Sequence, residues 1–147
     1  SNIKKFHNPD DAALKFFVYL TPVDLNNGCL GYIPRSNKIA YHLKKGIFEG
    51  NLEYKPYWKL IDFRNIIKNP VYSSYIEKKI GIDLIKKFME DTQFVEMPPY
   101  TTEKFYNKLD KGGAMIFDES GAHIGSKPSK HDRLVLRFVY KISTALD

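Results

Sequence analysis

The sequence predicts one mainly β domain, a sandwich or barrel, carrying a helical insertion over about residues 38–94. Three observations predict it. The first zone reads as strand, turn, strand; the middle of the chain switches to helical spacing; the last third returns to alternation. Strands at both ends with helices between them close only through long-range pairing. At 147 residues a single domain is the default, burying roughly two-thirds of the surface its unfolded chain exposes.

The opening zone runs from Ala13 to Pro34. Leu14, Phe16, Val18 and Leu20 alternate with Lys15, Phe17, Tyr19 and Thr21, the period of two of a strand. Aromatic residues stand on both of its faces, so both are expected to be covered. Asn26-Asn27-Gly28 supplies residues tolerant of positive φ, and Cys29 to Ile33 resumes as a strand.

The middle zone has a different period. Trp58, Ile61, Phe63, Ile66 and Ile67 fall near helical spacing, and Asn69-Pro70 interrupts them because proline disfavours the α conformation in the residue before it. Tyr72, Tyr75, Ile76 and Ile80 make a second helical face, which Gly81 ends. Leu84, Ile85, Phe88 and Met89 mark a third helix, with Asp83 as its expected cap.

The closing zone is again β. Gly112-Gly113 precedes the strand Ala114 to Phe117, a turn follows at Asp118-Glu119-Ser120-Gly121, and Ala122 to Ser126 reads as a short strand. Arg133 to Ile142 reads as a long one. Leu134, Leu136, Phe138 and Tyr140 lie on one face, and Arg133, Val135, Arg137 and Val139 on the other.

Composition excludes several classes. Apolar residues make up 43% and aromatic residues 14%, which is unlike a disordered chain. The longest apolar run, Phe16 to Leu20, is too short to span a bilayer, so no membrane partner is expected. A single cysteine, Cys29, rules out an internal disulfide framework; with a reducing compartment implied, the expected location is cytoplasmic. The net charge of +6 is scattered in lysine pairs beside apolar residues rather than clustered, so nucleic acid is not an expected partner.

The residues with chemistry to offer lie near the two ends. His7 stands just before the first strand with Asp10 and Asp11 behind it; His123 follows a strand and tight turn; Arg133 comes ten residues later. Two histidines and a carboxylate are the ingredients of a facial iron site, which leaves three coordination positions for a bidentate cosubstrate and dioxygen. The distal carboxylate of such a cosubstrate needs a fixed cation, and arginine's planar fork suits it better than lysine. Spacing alone leaves the alternative of polar surface histidines open.

Two groups of segments resemble the phytanoyl-CoA dioxygenase family. In the first half they are Phe6-His7-Asn8-Pro9-Asp10-Asp11, Leu14 to Val23, and Asn27-Gly28-Cys29-Leu30-Gly31-Tyr32-Ile33-Pro34-Arg35-Ser36-Asn37-Lys38. In the second half they are Gly113-Ala114-Met115-Ile116-Phe117-Asp118 with His123, Gly125, Ser126 and Arg133. Together they cover about half of the chain in the family's order.

The resemblance implies a double-stranded β-helix, a jelly-roll or cupin-like barrel, spanning 1–147 as one domain truncated at its N-terminal side. It implies an oxidoreductase, a non-haem dioxygenase that uses Fe(II), 2-oxoglutarate and O₂ to hydroxylate an aliphatic C–H of a small molecule. His7 and His123 would be its iron ligands and Arg133 the partner of the 2-oxoglutarate C5 carboxylate. The family's carboxylate stands two residues after the first histidine; here that position is Pro9, which cannot ligate, and Asp10 is the nearest substitute, followed by Asp11. Without a carboxylate the site would resemble related halogenases, or a catalytically degenerate small-molecule-binding domain on the same barrel. Arg137 shares a face with Arg133, and hydroxyls of Ser126 and Tyr19 are further candidates to steady a carboxylate. Only six residues precede His7, where family members carry helices and a first strand. Either the chain is a fragment or a partner completes the sheet, and an exposed sheet edge would support a homo-oligomer.

Overall fold

A computed structural model describes residues 13–54, 59–96, 105–126 and 131–141. His7, Asp10, Asp11 and Trp58 lie outside the described residues. The elements in order are β1 (Ala13–Tyr19), β2 (Leu30–Tyr32), α1 (Ser36–Phe48), α2 (Leu60–Lys68), α3 (Pro70–Ile80), α4 (Ile82–Glu96), β3 (Tyr106–Asn107), β4 (Ala114–Asp118), β5 (His123–Gly125) and β6 (Val135–Lys141).

The strands make two antiparallel sheets, ordered β4-β1-β6 and β3-β2-β5. In each, an early strand is central and the flanking strands come from the other end of the chain. Phe17 faces Met115 of β4 and Arg137 of β6, while Gly31 faces Tyr106 and Ile124. The inner residues of both sheets share one core, in which Phe17, Tyr19, Val23, Cys29, Leu30 and Phe117 are buried. Phe17 and Phe117 meet edge to face at 5.2 Å, the arrangement that ring quadrupoles favour.

The helices carry a second core. Ile39, Ala40 and Leu43 of α1 pack with Leu60, Phe63 and Ile67 of α2, Ile76 of α3, and Ile85 and Phe88 of α4. Glycine is required at Gly46, where a Cβ would lie 2.8 Å from both Leu52 and Tyr75. The expected break at Asn69-Pro70 separates α2 from α3, and the Asn69 side chain caps α3 by accepting from Val71 N at 3.0 Å. Arg64 is buried and ties α2 to α4, donating to Thr92 Oγ1 at 3.1 Å and to Met89 O at 3.3 Å. Ile33, just before α1, and Ala122, just before His123, belong to this helical core, so the helices touch the segment that carries His123. No helix among the described residues is long and apolar enough to cross a membrane.

Several expectations differ from the structure. The helical segment begins at Ser36 and ends at Glu96, wider than 38–94, because α1 starts directly behind β2. Asp83 lies in the first turn of α4 instead of capping it, since the helix already begins at Ile82. Arg133 precedes β6. The two-residue strand β3 was not expected: it forms only because Tyr106 and Asn107 lie beside β2. Among the described residues nothing covers the outer face of the first sheet. Leu14, Ile116, Leu136, Phe138 and Tyr140 are all exposed there, and Phe16 stacks on Tyr140 at 5.0 Å. Alternation reports which residues share a face but not whether anything packs on it.

One backbone conformation is unusual. Arg35 holds φ at 63°, the only positive value among the described residues that are not glycine. It is the N-cap of α1. A side chain in the left-handed region costs roughly 1–2 kcal/mol, part of which the flexibility of unfolded glycine offsets. Arg35→Gly should therefore raise unfolding stability by up to about 1 kcal/mol in urea titrations. Phe63→Ala, at a fully buried position, should lower it by about 3–5 kcal/mol.

Candidate functional site

His123 opens β5 directly after the β4–β5 turn. Asp118 closes that turn: its Oδ1 accepts from Ser120 N at 2.9 Å and from Ser120 Oγ at 2.6 Å, and its carbonyl accepts from Gly121 N at 3.1 Å. The segment after β2 holds the same turn from outside. The buried Ser36 hydroxyl accepts from Ala122 N at 2.7 Å and donates to Ile33 O at 2.7 Å. Asn37 donates to Asp118 Oδ2 at 3.2 Å. Tyr32 faces His123 across the β2–β5 ladder and donates its hydroxyl to Asp118 O at 3.0 Å. Gly121 must be glycine because a Cβ there would run into the Tyr32 ring and hydroxyl.

These contacts orient the imidazole. His123 Nδ1 lies 2.8 Å from Gly121 O. A carbonyl only accepts, so Nδ1 carries the proton in this contact. This tautomer, fixed by a backbone carbonyl, is the one that suits a metal-binding histidine. The ring also packs on Phe117 at 5.5 Å.

Arg133, Tyr19, Ser126 and Cys29 lie around the other end of β2. Arg133 Nη1 donates to Gly28 O, and Ser126 N donates to Cys29 O at 2.9 Å. The Ser126 hydroxyl lies 3.8 Å from Cys29 Sγ and 3.5 Å from Asp24 O. Tyr19 is fully buried, yet its hydroxyl has no hydrogen-bond partner among the described residues. Burial pushes its phenol above the ordinary value, with the Arg133 charge pulling the other way. Burial also raises the Cys29 thiol, against a hydrogen bond from Ser126, so it is a poor nucleophile. An orphaned buried hydroxyl costs about 1–3 kcal/mol, and such a group beside an arginine is a natural partner for a ligand oxygen.

The structure thus brings together Tyr19, Ser126 and Arg133, and places His123 further along the same ladder. Gly28 to Tyr32 is four residue steps, at most about 13 Å of chain. Arg133 is an exposed residue, so this end of the site is open. Arg137 faces Phe17 in the register, on the inner side of β6, but is exposed at the sheet edge. Beside Arg133 a cleft of about 520 Å³ is lined by Asp24, Asn27, Lys108, Asp110, His131 and Asp132, among others. His7 and Asp10 lie outside the described residues, and among those described no three His, Cys, Asp or Glu side chains gather to hold a metal ion.

Sequence reasoning did not single out Ser36, Tyr32 or Asn27. Ser36 and Asn27 stand in motif segments, and that was the available signal; the pairing of Tyr32 with His123 is visible only in the fold.

Two outcomes test this geometry. Without ligand, Tyr19→Phe should leave stability unchanged or raise it by about 1 kcal/mol, because the orphaned hydroxyl goes; thermal unfolding measures this, and a large loss would mean that the hydroxyl is already satisfied. The Tyr32 phenol is driven strongly upward from 10.0, first by burial and then by the Asp118 charge. Above that pH the unfolded chain releases a proton that the folded chain keeps, so stability should fall as pH rises. Tyr32→Phe should flatten that alkaline decline when unfolding is followed against pH. No family model, curated protein or solved structure matches the chain.

Proposed function

We propose that the chain is a dioxygenase domain of the phytanoyl-CoA dioxygenase type, on a double-stranded β-helix whose two sheets are those described. It would hydroxylate an aliphatic C–H of a small molecule: R–H, O₂ and 2-oxoglutarate give R–OH, succinate and CO₂. The observation that carries the reading is the pairing of two poised groups along β2. His123, its Nδ1 proton held by Gly121 O, stands at one end, and Arg133 with the orphaned Tyr19 hydroxyl stands at the other. Arg35 adds support: it keeps a glycine-type conformation at the position where the phytanoyl-CoA dioxygenase family has the glycine of Gly-Ser-His, which Arg35-Ser36-Asn37 replaces here.

His123 Nε2, with His7 and Asp10, would hold Fe(II), and this donor set of imidazoles and carboxylate suits that ion. Bound iron would supply dioxygen activation coupled to oxidative decarboxylation of the ketoacid. The chain's own share is binding and orientation. Arg133 would engage the C5 carboxylate with charge-assisted hydrogen bonds, Tyr19 would donate its phenolic proton to an oxygen of the same group, and Ser126 would steady it. Phe17 and Phe117 would keep water from the wall between the two ends.

The second reading, a degenerate binding domain, is favoured by Pro9 at the family's carboxylate position. Anaerobic Fe(II) with 2-oxoglutarate should give a visible charge-transfer band that His123→Ala abolishes, and aerobic turnover should release succinate. Arg133→Met should weaken 2-oxoglutarate binding by about 100-fold, the loss of a charged hydrogen-bonded partner. Carboxylate binding with neither band nor succinate would establish the second reading instead.

A further inference from the structure

We propose that Gly28 is a positioning residue for Arg133, so that the Asp24–Gly28 turn decides where the cation of the site meets a carboxylate. The proposal rests on the anion-binding role given to Arg133 above.

One feature demands glycine here and a second ties it to Arg133. Gly28 holds φ at 91°, a region that L side chains rarely adopt. A Cβ at that position would also lie 2.9 Å from Arg133 Nη1, 3.1 Å from its Cδ and 3.2 Å from its Cζ. The arginine stem and guanidinium therefore lie across the bare Cα of Gly28, and Nη1 donates to the carbonyl of the same residue.

The turn beneath is itself fixed. The Asn27 side chain is buried; its Oδ1 accepts from Asp24 N at 2.6 Å and its Nδ2 donates to Pro22 O at 2.6 Å. Asp24 O accepts from Cys29 N at 3.1 Å and from Asn27 N at 3.3 Å. The Gly28 carbonyl is thus presented by a closed set of hydrogen bonds. An exposed arginine with four rotatable bonds would otherwise sample many rotamers; the seat restricts it before any ligand arrives. It also commits one of the guanidinium's five N–H donors to the protein, leaving the rest of the fork for a planar carboxylate.

The test combines a double-mutant cycle with a side-chain signal. Gly28→Ala, Arg133→Ala and the double variant are unfolded in urea. If Gly28 serves to seat Arg133, the cost of Gly28→Ala should shrink in the Arg133→Ala background, by at least about fivefold in the unfolding equilibrium constant; additive effects overturn the proposal. If Gly28→Ala alone does not fold, recovery of folding in the double variant supports the seat, and no recovery overturns it. In folded protein, the Arg133 Nε–Hε resonance, assigned by its loss in Arg133→Lys, should be dispersed and rigid in the parent and should move to the position of a free arginine in Gly28→Ala; an unchanged resonance overturns the proposal. 2-Oxoglutarate titration of the parent protein separates the two ideas. Coupling without 2-oxoglutarate binding upholds the seat and defeats the anion-binding role of Arg133, whereas binding without coupling does the reverse.

Discussion

The rest of the structure depends on one pairing: the two early strands, β1 and β2, are each flanked by strands from the far end of the chain. Phe16 lies opposite Ile116 and Phe138, and Leu30 opposite Asn107 and Gly125. Neither sheet can form before about 75 residues or more have been looped back, an entropic demand that the shared core of Phe17, Tyr19, Leu30 and Phe117 must repay. Both halves of the candidate site are consequences of this closure. His123 enters through β5 beside β2, and Arg133 arrives just ahead of β6 beside β1.

The helices do more than fill the loop between the two halves. Their core ends at Ile33 and Ala122, residues next to the Ser36 anchor and to His123. Ser36 works on both sides of that junction, holding the carbonyl of one segment and the amide of the other. A disturbance of helix packing would thus be felt at the imidazole, although no helical side chain has to touch it. The turn carrying His123 is gripped by hydrogen bonds from Tyr32, Ser36 and Asn37, which is the support a ligating histidine requires if its ring is to hold one direction.

Some local departures from easy packing lie around this site. Tyr19 buries a hydroxyl with no partner among the described residues, Arg35 sits in a left-handed conformation, and Gly28 and Gly121 are confined by side chains that lie against them. Each lowers stability or restricts the sequence. The outer face of the first sheet is a separate matter. Its exposed leucine, isoleucine and aromatic side chains form an apolar surface larger than isolated residues explain.

What the residues alone determined is local. Alternation located β1, β4 and β6; helical spacing located α2, α3 and α4; Asn69-Pro70 and Gly81 marked their ends; and Tyr19, Ser126 and Arg133 were legible as candidates for one site. Periodicity and turn chemistry act over a few residues, so they can be read without the fold. The two-residue β3, the grip of Tyr32 and Ser36 on the turn before His123, and the seating of Arg133 on Gly28 were decided only by tertiary structure. Each needs a partner distant in sequence, as when an arginine finds a carbonyl 105 positions away, and no local pattern records which distant groups will meet.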